Sequence, residues 1–266
     1  MNRMLSPEEL KKCELDILKD VARFCDEHEI HYSLTFGTLL GAIRHKGFIP
    51  WDDDIDIAVP RDEYEYLIKN YTHDRYKMVE MHLQEDYPYA FAKVIDTCTE
   101  LKEQSTSSFP MGVYIDIFPV DGLPETDQER HMKTCQNACR TALYKLVSLK
   151  YPTDLKHRLI HIAVKIFLLP FSQRKIISKQ HDLATRYSIE QASEVSILTI
   201  RLGCKRKFSK GMFYNIVKHP FEDAMFNIPA AYEQYLTAVY GDYMTPPPED
   251  KRIAHFLEAY WKEQNE

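Results

Sequence analysis

The chain has 266 residues, of which 44% are hydrophobic, and its 34 Lys and Arg residues against 40 Asp and Glu residues give a formal net charge of −6. A chain of this length and hydrophobicity forms one large domain, or one domain with a helical appendage. The acidic balance argues against a nucleic-acid partner. No run is apolar and long enough to span a bilayer and no secretory signal is visible, so we expect a cytoplasmic protein.

The first half of the chain predicts alternating helices and strands. A helix begins after Ser6, because Pro7 suits the first helical position and Glu9 completes a capping box, and its apolar spacing continues to about Glu27. Further patterns predict strands at 30–36, 54–59, 76–82, 89–96 and 113–118, and helices at 39–44 and 61–70. Such alternation is typical of an α/β or α+β catalytic core.

The second half is predicted to be mainly helical. The helical pattern runs from Thr126 to about Ser188, and a later helix from Ile228 to Tyr240 ends at Gly241. The other predictions are a strand at 194–200, an ambiguous stretch at 208–229 that is compatible with a hairpin, and a last helix at 252–261. We therefore expect an α+β fold, with a catalytic core at 1–124 and a mainly helical C-terminal part at 125–266 that completes the substrate pocket.

Four carboxylates, Asp52, Asp53, Asp54 and Asp56, fall within five positions directly before an apolar stretch. Side chains alternate along a strand, so a strand here points Asp54 and Asp56 to one side while the intervening isoleucines enter the core. Neighbouring like charges repel, and a divalent cation relieves the repulsion. Hard oxygen ligands suit Mg²⁺ or Mn²⁺. The pattern predicts a metal site, and a solvated acidic turn is the alternative.

Residues suited to phosphate binding precede the acidic cluster. Gly37 and Thr38 follow a predicted strand and begin a predicted helix, where backbone N–H groups and a hydroxyl are available to a phosphate. Arg44, Lys46 and Arg61 supply positive charge around the same segment. Phosphate-binding and metal-binding groups within about two dozen residues of each other predict phosphoryl transfer, which needs both.

The run from Gly37 to Ile57 resembles the core motif of the LicD family of phosphocholine transferases, to which the fukutin-type phosphotransferases are more distant relatives. Residues 114–124 and 240–248 resemble later blocks of the same family. The resemblance extends from about residue 30 to the C-terminal end, whereas 125–215 carries no matching motif. It implies a nucleotidyltransferase-like core.

Asp116 is the expected third carboxylate of the metal site. It lies in a segment that alternates as a strand does, and a strand paired beside 54–59 brings it to the face of Asp54 and Asp56. The family resemblance implies the same choice. Asp54, Asp56 and Asp116 are therefore predicted to be catalytic and to bind Mg²⁺ directly. Asp52 lies two residues before Asp54, so along a strand its side chain points to the same side, and we expect it to join the metal site.

The resemblance implies transfer of phosphocholine from CDP-choline to a sugar hydroxyl of a cell-surface glycan precursor, of the teichoic acid or lipopolysaccharide type, with release of CMP. The residues themselves support only metal-dependent attack of a hydroxyl on phosphorus. Transfer of ribitol phosphate or of a nucleotidyl group is an alternative, because a fold does not choose its substrate. An inactive module that binds phosphocholine or nucleotide is an alternative of another class.

Two further groups of residues are candidates for substrate binding. A quaternary ammonium is recognised by aromatic faces. Trp51, next to the aspartates, is the first candidate, and Tyr87, Tyr89 and Tyr114 are further ones. Arg252 and His255 lie three residues apart in the C-terminal block, so they share a face if that segment is helical, and we expect them to contact a donor phosphate or acceptor sugar.

Residues 159–171 combine apolar side chains with three basic ones. This composition suits a basic amphipathic helix on a membrane surface, and a core helix is the favoured alternative. The resemblance implies a glycan or lipid-linked glycan acceptor. We therefore also consider that the protein contacts the inner face of the membrane peripherally.

Overall fold

The computed structural model describes residues 3–102, 109–148, 172–200, 206–252 and 258–263, together with positions 162 and 166. The helices in this part of the chain are α1 (Pro7–Glu27), α2 (Phe36–His45), α3 (Arg61–Asn70), α4 (Asp127–Ser148), α5 (Gln173–Ala184) and α6 (Tyr232–Tyr240). The strands are β1 (Arg3–Met4), β2 (Ser33–Leu34), β3 (Asp56–Pro60), β4 (Tyr76–Val79), β5 (Ala92–Asp96), β6 (Thr99–Leu101), β7 (Tyr114–Gly122), β8 (Glu194–Ser196), β9 (Phe208–Ser209), β10 (Ile216–Phe221), β11 (Ala224–Pro229) and β12 (Ala259–Trp261).

A mixed sheet forms the centre of the protein, with the strand order β2-β3-β7-β5-β4. β3 and β7 are parallel, whereas β2, β4 and β5 pair antiparallel to their neighbours. Strand β8 extends the sheet from the far end of β7 and in turn pairs with β9. The α+β fold class expected from the sequence is confirmed by this arrangement.

Strands from the C-terminal part complete the structure around this sheet. β12 lies between β1 and β6 in a second, antiparallel sheet, and β10 and β11 form an antiparallel hairpin. The predicted hairpin in 208–229 is therefore present. Residues from both halves of the chain share one hydrophobic core, so the segments after α5 return to pack on the first half.

The first helix follows its sequence signals closely. Ser6 caps α1, its hydroxyl accepts a hydrogen bond from the Glu9 N–H at 3.2 Å, and the Glu9 carboxylate accepts one from the Ser6 N–H at 2.9 Å. This reciprocal pair satisfies two N–H groups that the helix leaves unpaired at its start. The apolar face of α1 is buried in the core. No helix of the described residues is both long and apolar enough to cross a membrane.

Three element predictions need correction. Helix α2 begins at Phe36, before its predicted start at residue 39, so Gly37 and Thr38 lie in its first turn. Residues 259–261, expected in a last helix, form β12, because pairing with β1 and β6 outweighs a local helical preference. Ile228 belongs to β11 and not to the following helix, whose predicted end at Gly241 is correct.

Candidate active site

The parallel pairing of β3 with β7 forms the centre of the candidate site. The register sets Asp56 beside Asp116, and the Asp116 N–H donates to the carbonyl of Ile55 at 2.8 Å. Paired strands lie about 4.8 Å apart, so the two carboxylates are neighbours on one face of the sheet. The structure thus brings together the residues that strand alternation indicated. Their binding of a metal stays a prediction.

The first turn of α2 holds the acidic segment in place. The Thr38 hydroxyl accepts a hydrogen bond from the Asp56 N–H at 2.8 Å and is buried. Gly37 lies against the carboxylate of Asp52, and a Cβ atom at this position would be 2.5 Å from the Oδ2 atom of Asp52. Thr38 therefore positions the backbone of Asp56, and the absence of a side chain at position 37 allows the Asp52 carboxylate to lie this close to the helix.

Burial and mutual repulsion change the acid–base behaviour of the cluster. Asp56 is 8% exposed, and loss of hydration, together with the charges of Asp54 and Asp116, raises the pKa of its carboxyl group well above the usual range. Burial, the charge of Asp54 and a hydrogen bond with it raise the pKa of Asp52 to about 7. A proton or a cation relieves such repulsion. The cluster therefore has the electrostatics of a divalent cation site.

Glu14 brings a further carboxylate to this cluster from α1, which sequence reasoning missed. It is 1% exposed, and its Oε2 atom has no hydrogen-bond partner among the described residues. Burial and the charges of Asp53 and Asp54 raise its pKa well above the usual range. A signal was available, because Glu14 lies four residues from both Leu10 and Leu18 on the buried face of the helix, where carboxylates are rare.

Lys93, on β5, is the second residue that sequence reasoning missed. It is 2% exposed and forms an ion pair with Asp116. The ring centroids of Tyr114, Tyr89 and Phe91 lie 3.4, 4.7 and 5.4 Å from its ammonium group. Lys93 thus occupies an aromatic cage, and Tyr114 faces this lysine. The available signal was a lysine in the middle of an apolar strand pattern, which is seldom buried without a partner.

A cavity of about 390 Å³ opens beside Asp52 and the start of α2. Its size falls within the range of small-molecule sites. Residues from the first half and from the C-terminal block share its walls, namely Gly37, Leu40, Arg44, Ile49, Trp51, Asp52, Tyr240, Asp242, Tyr243, Thr245 and Pro247. The C-terminal block is therefore a wall of a pocket that adjoins the aspartates.

Two arginines hold this wall in place. Arg44 donates a hydrogen bond from Nη1 to the carbonyl of Tyr243 at 2.8 Å. Arg252 donates from Nε to the carbonyl of Pro247 at 3.0 Å, and its guanidinium carbon lies 4.7 Å from the centroid of the Trp51 ring. The structure therefore places both predicted cations at the pocket. His255 and most of 159–171 lie outside the described residues.

Arg61 does not belong to this site, and the prediction for it was wrong. It follows the last residue of β3, and five residues of strand separate it from Asp56 by roughly 16 Å. Its Nε and Nη2 atoms donate to the two carboxylate oxygens of Asp121 at 2.6 and 3.1 Å, and Nη1 donates to Glu65 at 3.1 Å. The guanidinium instead balances a buried carboxylate at the opposite end of the sheet.

Lys46 also lies away from the cluster. It caps the C-terminal end of α2, nine residues or about 13 Å along the helix from Gly37. Its side chain is exposed and its backbone adopts a left-handed conformation with φ of 62°. The structure does not bring this lysine to the aspartates, because a complete helix separates them.

Comparison with known proteins agrees with this geometry. Residues 29–141, which contain α2, β3 and β7, match the family model described as LicD/FKTN/FKRP, nucleotidyltransferase domain. The fold and the paired aspartates therefore define a nucleotidyltransferase-type catalytic domain.

The full chain is 31% identical to the lipopolysaccharide cholinephosphotransferase LicD of Haemophilus influenzae, over 98% of this chain and 99% of that protein. An uncharacterised protein of Rickettsia prowazekii is 36% identical over a shorter stretch, 24% of this chain and 27% of its own length. The chain belongs to the LicD family.

We predict that Arg61→Met destabilises the protein without impairing the active site. Asp121 is 1% exposed, and leaving a buried carboxylate without its partner costs about 3–5 kcal/mol. The melting temperature should fall by about 10 °C, whereas the KM for the donor, measured well below the transition, should change little. Arg23→Met, which removes an exposed arginine paired with two carboxylates, should leave both quantities nearly unchanged. An unaltered melting temperature with a raised KM would contradict this and would show that Arg61 acts at the phosphate site.

Proposed function

We propose that the protein transfers phosphocholine from CDP-choline to a sugar hydroxyl of a cell-surface glycan precursor, releasing CMP. Membership of the LicD family makes the chain an enzyme of the transferase class. The name of the Haemophilus influenzae relative favours an acceptor of the lipopolysaccharide type over a teichoic acid. The observation that carries the proposal is the pairing of Asp56 with Asp116 on the parallel strands β3 and β7, beside the start of α2.

The donor set at this position fits a hard divalent cation such as Mg²⁺ or Mn²⁺. Asp54, Asp56 and Asp116, with Asp52, offer carboxylate oxygens, which these ions prefer. The same carboxylates repel each other strongly when no cation separates them, as the raised pKa of Asp56 indicates. When bound, such a cation neutralises phosphate charge and favours ionisation of the acceptor hydroxyl.

The protein's own groups would position the reacting phosphate and the metal ligands. The first turn of α2 carries N–H groups that the helix leaves unpaired, and such groups favour an anion. Gly37 allows a close approach there, and Thr38 fixes the backbone of Asp56. The ion pair with the buried Lys93 restricts the orientation of Asp116. We thus expect the phosphate to bind at the start of α2 and the cation to bind the carboxylates on and beside β3 and β7.

The cavity beside Trp51 is the better site for the choline group. Quaternary ammonium groups bind against aromatic faces, but the ammonium of Lys93 already lies 3.4 Å from the ring centroid of Tyr114. Trp51 borders the cavity together with Tyr243 and the carboxylate of Asp242. Arg252 lies over one face of Trp51 at 4.7 Å, so the choline would use the other face, and the guanidinium would lie next to the phosphate that is joined to the choline. Aromatic ring and guanidinium would then recognise the two ends of phosphocholine.

We predict that CMP is released from CDP-choline when Mg²⁺ and an acceptor glycan are present, and that Asp54→Asn, Asp56→Asn and Asp116→Asn each lower turnover about 100-fold or more. Each substitution removes a charge at the proposed metal site. Asp223→Asn, at an exposed surface ion pair, should retain activity. CDP-ribitol and CTP, tested in parallel, represent transfer of another phospho-alcohol or of a nucleotidyl group. CMP formation from CDP-ribitol alone would contradict the proposal, and binding without turnover of any donor would indicate an inactive module.

We predict that Trp51→Ala weakens CDP-choline binding by about 30-fold, the equivalent of a desolvated cation–π contact of about 2 kcal/mol. The affinity for CMP should change less than about threefold, because CMP carries no choline. Trp261→Ala is a matched control, since Arg75 lies over that ring at 5.6 Å but in the second sheet. Isothermal titration calorimetry measures both affinities for the wild type and for each variant. An equal loss for CDP-choline and CMP would show that Trp51 supports the nucleotide or the fold.

A further inference from the structure

Glu80, His82 and His181 form a cluster outside the acidic site. Glu80 and His82 follow β4, and His181 lies in the last turn of α5. One potential ligand atom from each residue lies within 4.8 Å of the others. The rings of His82 and His181 meet edge to face, with centroids 4.6 Å apart. These three residues are called the His–Glu cluster below.

The chemistry of the His–Glu cluster differs from that of the four aspartates. Two imidazoles and one carboxylate are borderline ligands that suit Zn²⁺ and related transition metals, whereas a site made only of carboxylates suits Mg²⁺ or Mn²⁺. A zinc ion with three protein ligands takes its fourth ligand from water. The side chain of His82 is 56% exposed, so water and an entering ion can reach the cluster.

The geometry requires an adjustment of the side chains to bind an ion. In tetrahedral coordination, zinc–nitrogen and zinc–oxygen bonds of about 2.0–2.2 Å set two ligand atoms about 3.4 Å apart, so a separation at the 4.8 Å limit must close by about 1.4 Å. The exposed His82 ring can make this movement. Glu80 is buried, and its Oε2 atom accepts a hydrogen bond from the His82 N–H at 2.6 Å, which orients the carboxylate. Its Oε1 atom lies 3.2 Å from Nδ1 of His82, so these two potential ligand atoms are already close together.

His181 contributes an unused nitrogen to the cluster. Its Nδ1 atom is buried and has no hydrogen-bond partner among the described residues, which is costly for a polar atom. A metal ion binds the lone pair of such an imidazole nitrogen. The positive charge of Arg61 is balanced by its contacts with Asp121 and Glu65.

We propose that Glu80, His82 and His181 bind a zinc-class transition metal ion that fastens α5 to the turn after β4. Helix α5 lies in the long segment between β7 and β8. A hydrogen bond from Arg174 to the carbonyl of Glu85, at 2.6 Å, already joins α5 to the same turn. The ion would add a second attachment and would stabilise the contact between the helical segment and the catalytic sheet.

The test uses the full chain after removal of metals by a chelator, with millimolar Mg²⁺ present to occupy the aspartates. Zn²⁺ is titrated by calorimetry, and Co²⁺ is added separately to record the visible bands of tetrahedral coordination. The proposal predicts one Zn²⁺ per chain and a melting temperature raised by about 5 °C at saturation. His82→Gln, on an exposed side chain, should weaken Zn²⁺ binding at least tenfold and abolish most of the thermal shift.

His181→Gln should have the same effect on Zn²⁺ affinity, and His219→Gln is the matched control. His219 lies on β10, where its ring contacts the carbonyl of Pro220, and its loss should leave one Zn²⁺ bound with unchanged affinity. Equal affinity for the wild type and His82→Gln would overturn the proposal. Zinc binding that millimolar Mg²⁺ displaces would also overturn it, because the ion would then occupy the aspartates.

Discussion

The register between β3 and β7 is the constraint on which the active site depends. Parallel pairing of these strands forces Asp56 and Asp116 into adjacent positions, and the chain before β3 adds Asp52 and Asp54 to the same region. Asp56 and Asp116 cannot relax this repulsion by moving apart, because their backbones belong to paired strands. The fold therefore holds like charges together at a cost in stability. Such a cost is common where function requires it.

The remaining parts of the site support this cluster from different directions. Helix α2 fixes the acidic segment through Thr38, and β5 supplies Lys93 as a buried counter-ion to Asp116. The C-terminal block closes the adjoining cavity through Arg252 and Trp51. These contributions come from segments far apart in sequence, so the site forms only when both halves of the chain have folded around the central sheet.

Local signals predicted much of the fold and the centre of the site. The capping box at Ser6 marked the start of α1, and strand alternation placed Asp116 with Asp56. Predictions that depended on long-range contacts were less successful. Arg61 is near the aspartates in sequence, but an extended strand separates them and Asp121 pairs with the guanidinium. Residues 259–261 became a strand because β1 and β6 lie on either side. The counter-ion of Lys93 is Asp116, and the two residues meet because β5 pairs with β7.

The most direct test of this account compares the melting temperatures of the wild type and Asp56→Asn, in chelator and in Mn²⁺, at a mildly alkaline pH, which favours the ionised form of carboxyl groups. Without metal, the variant should melt a few degrees higher than the wild type, because one buried like charge is gone. Mn²⁺ should then stabilise the wild type and have little effect on the variant. A wild type that does not respond to Mn²⁺, together with a less stable variant in chelator, would contradict the claim that the aspartates form a cation site.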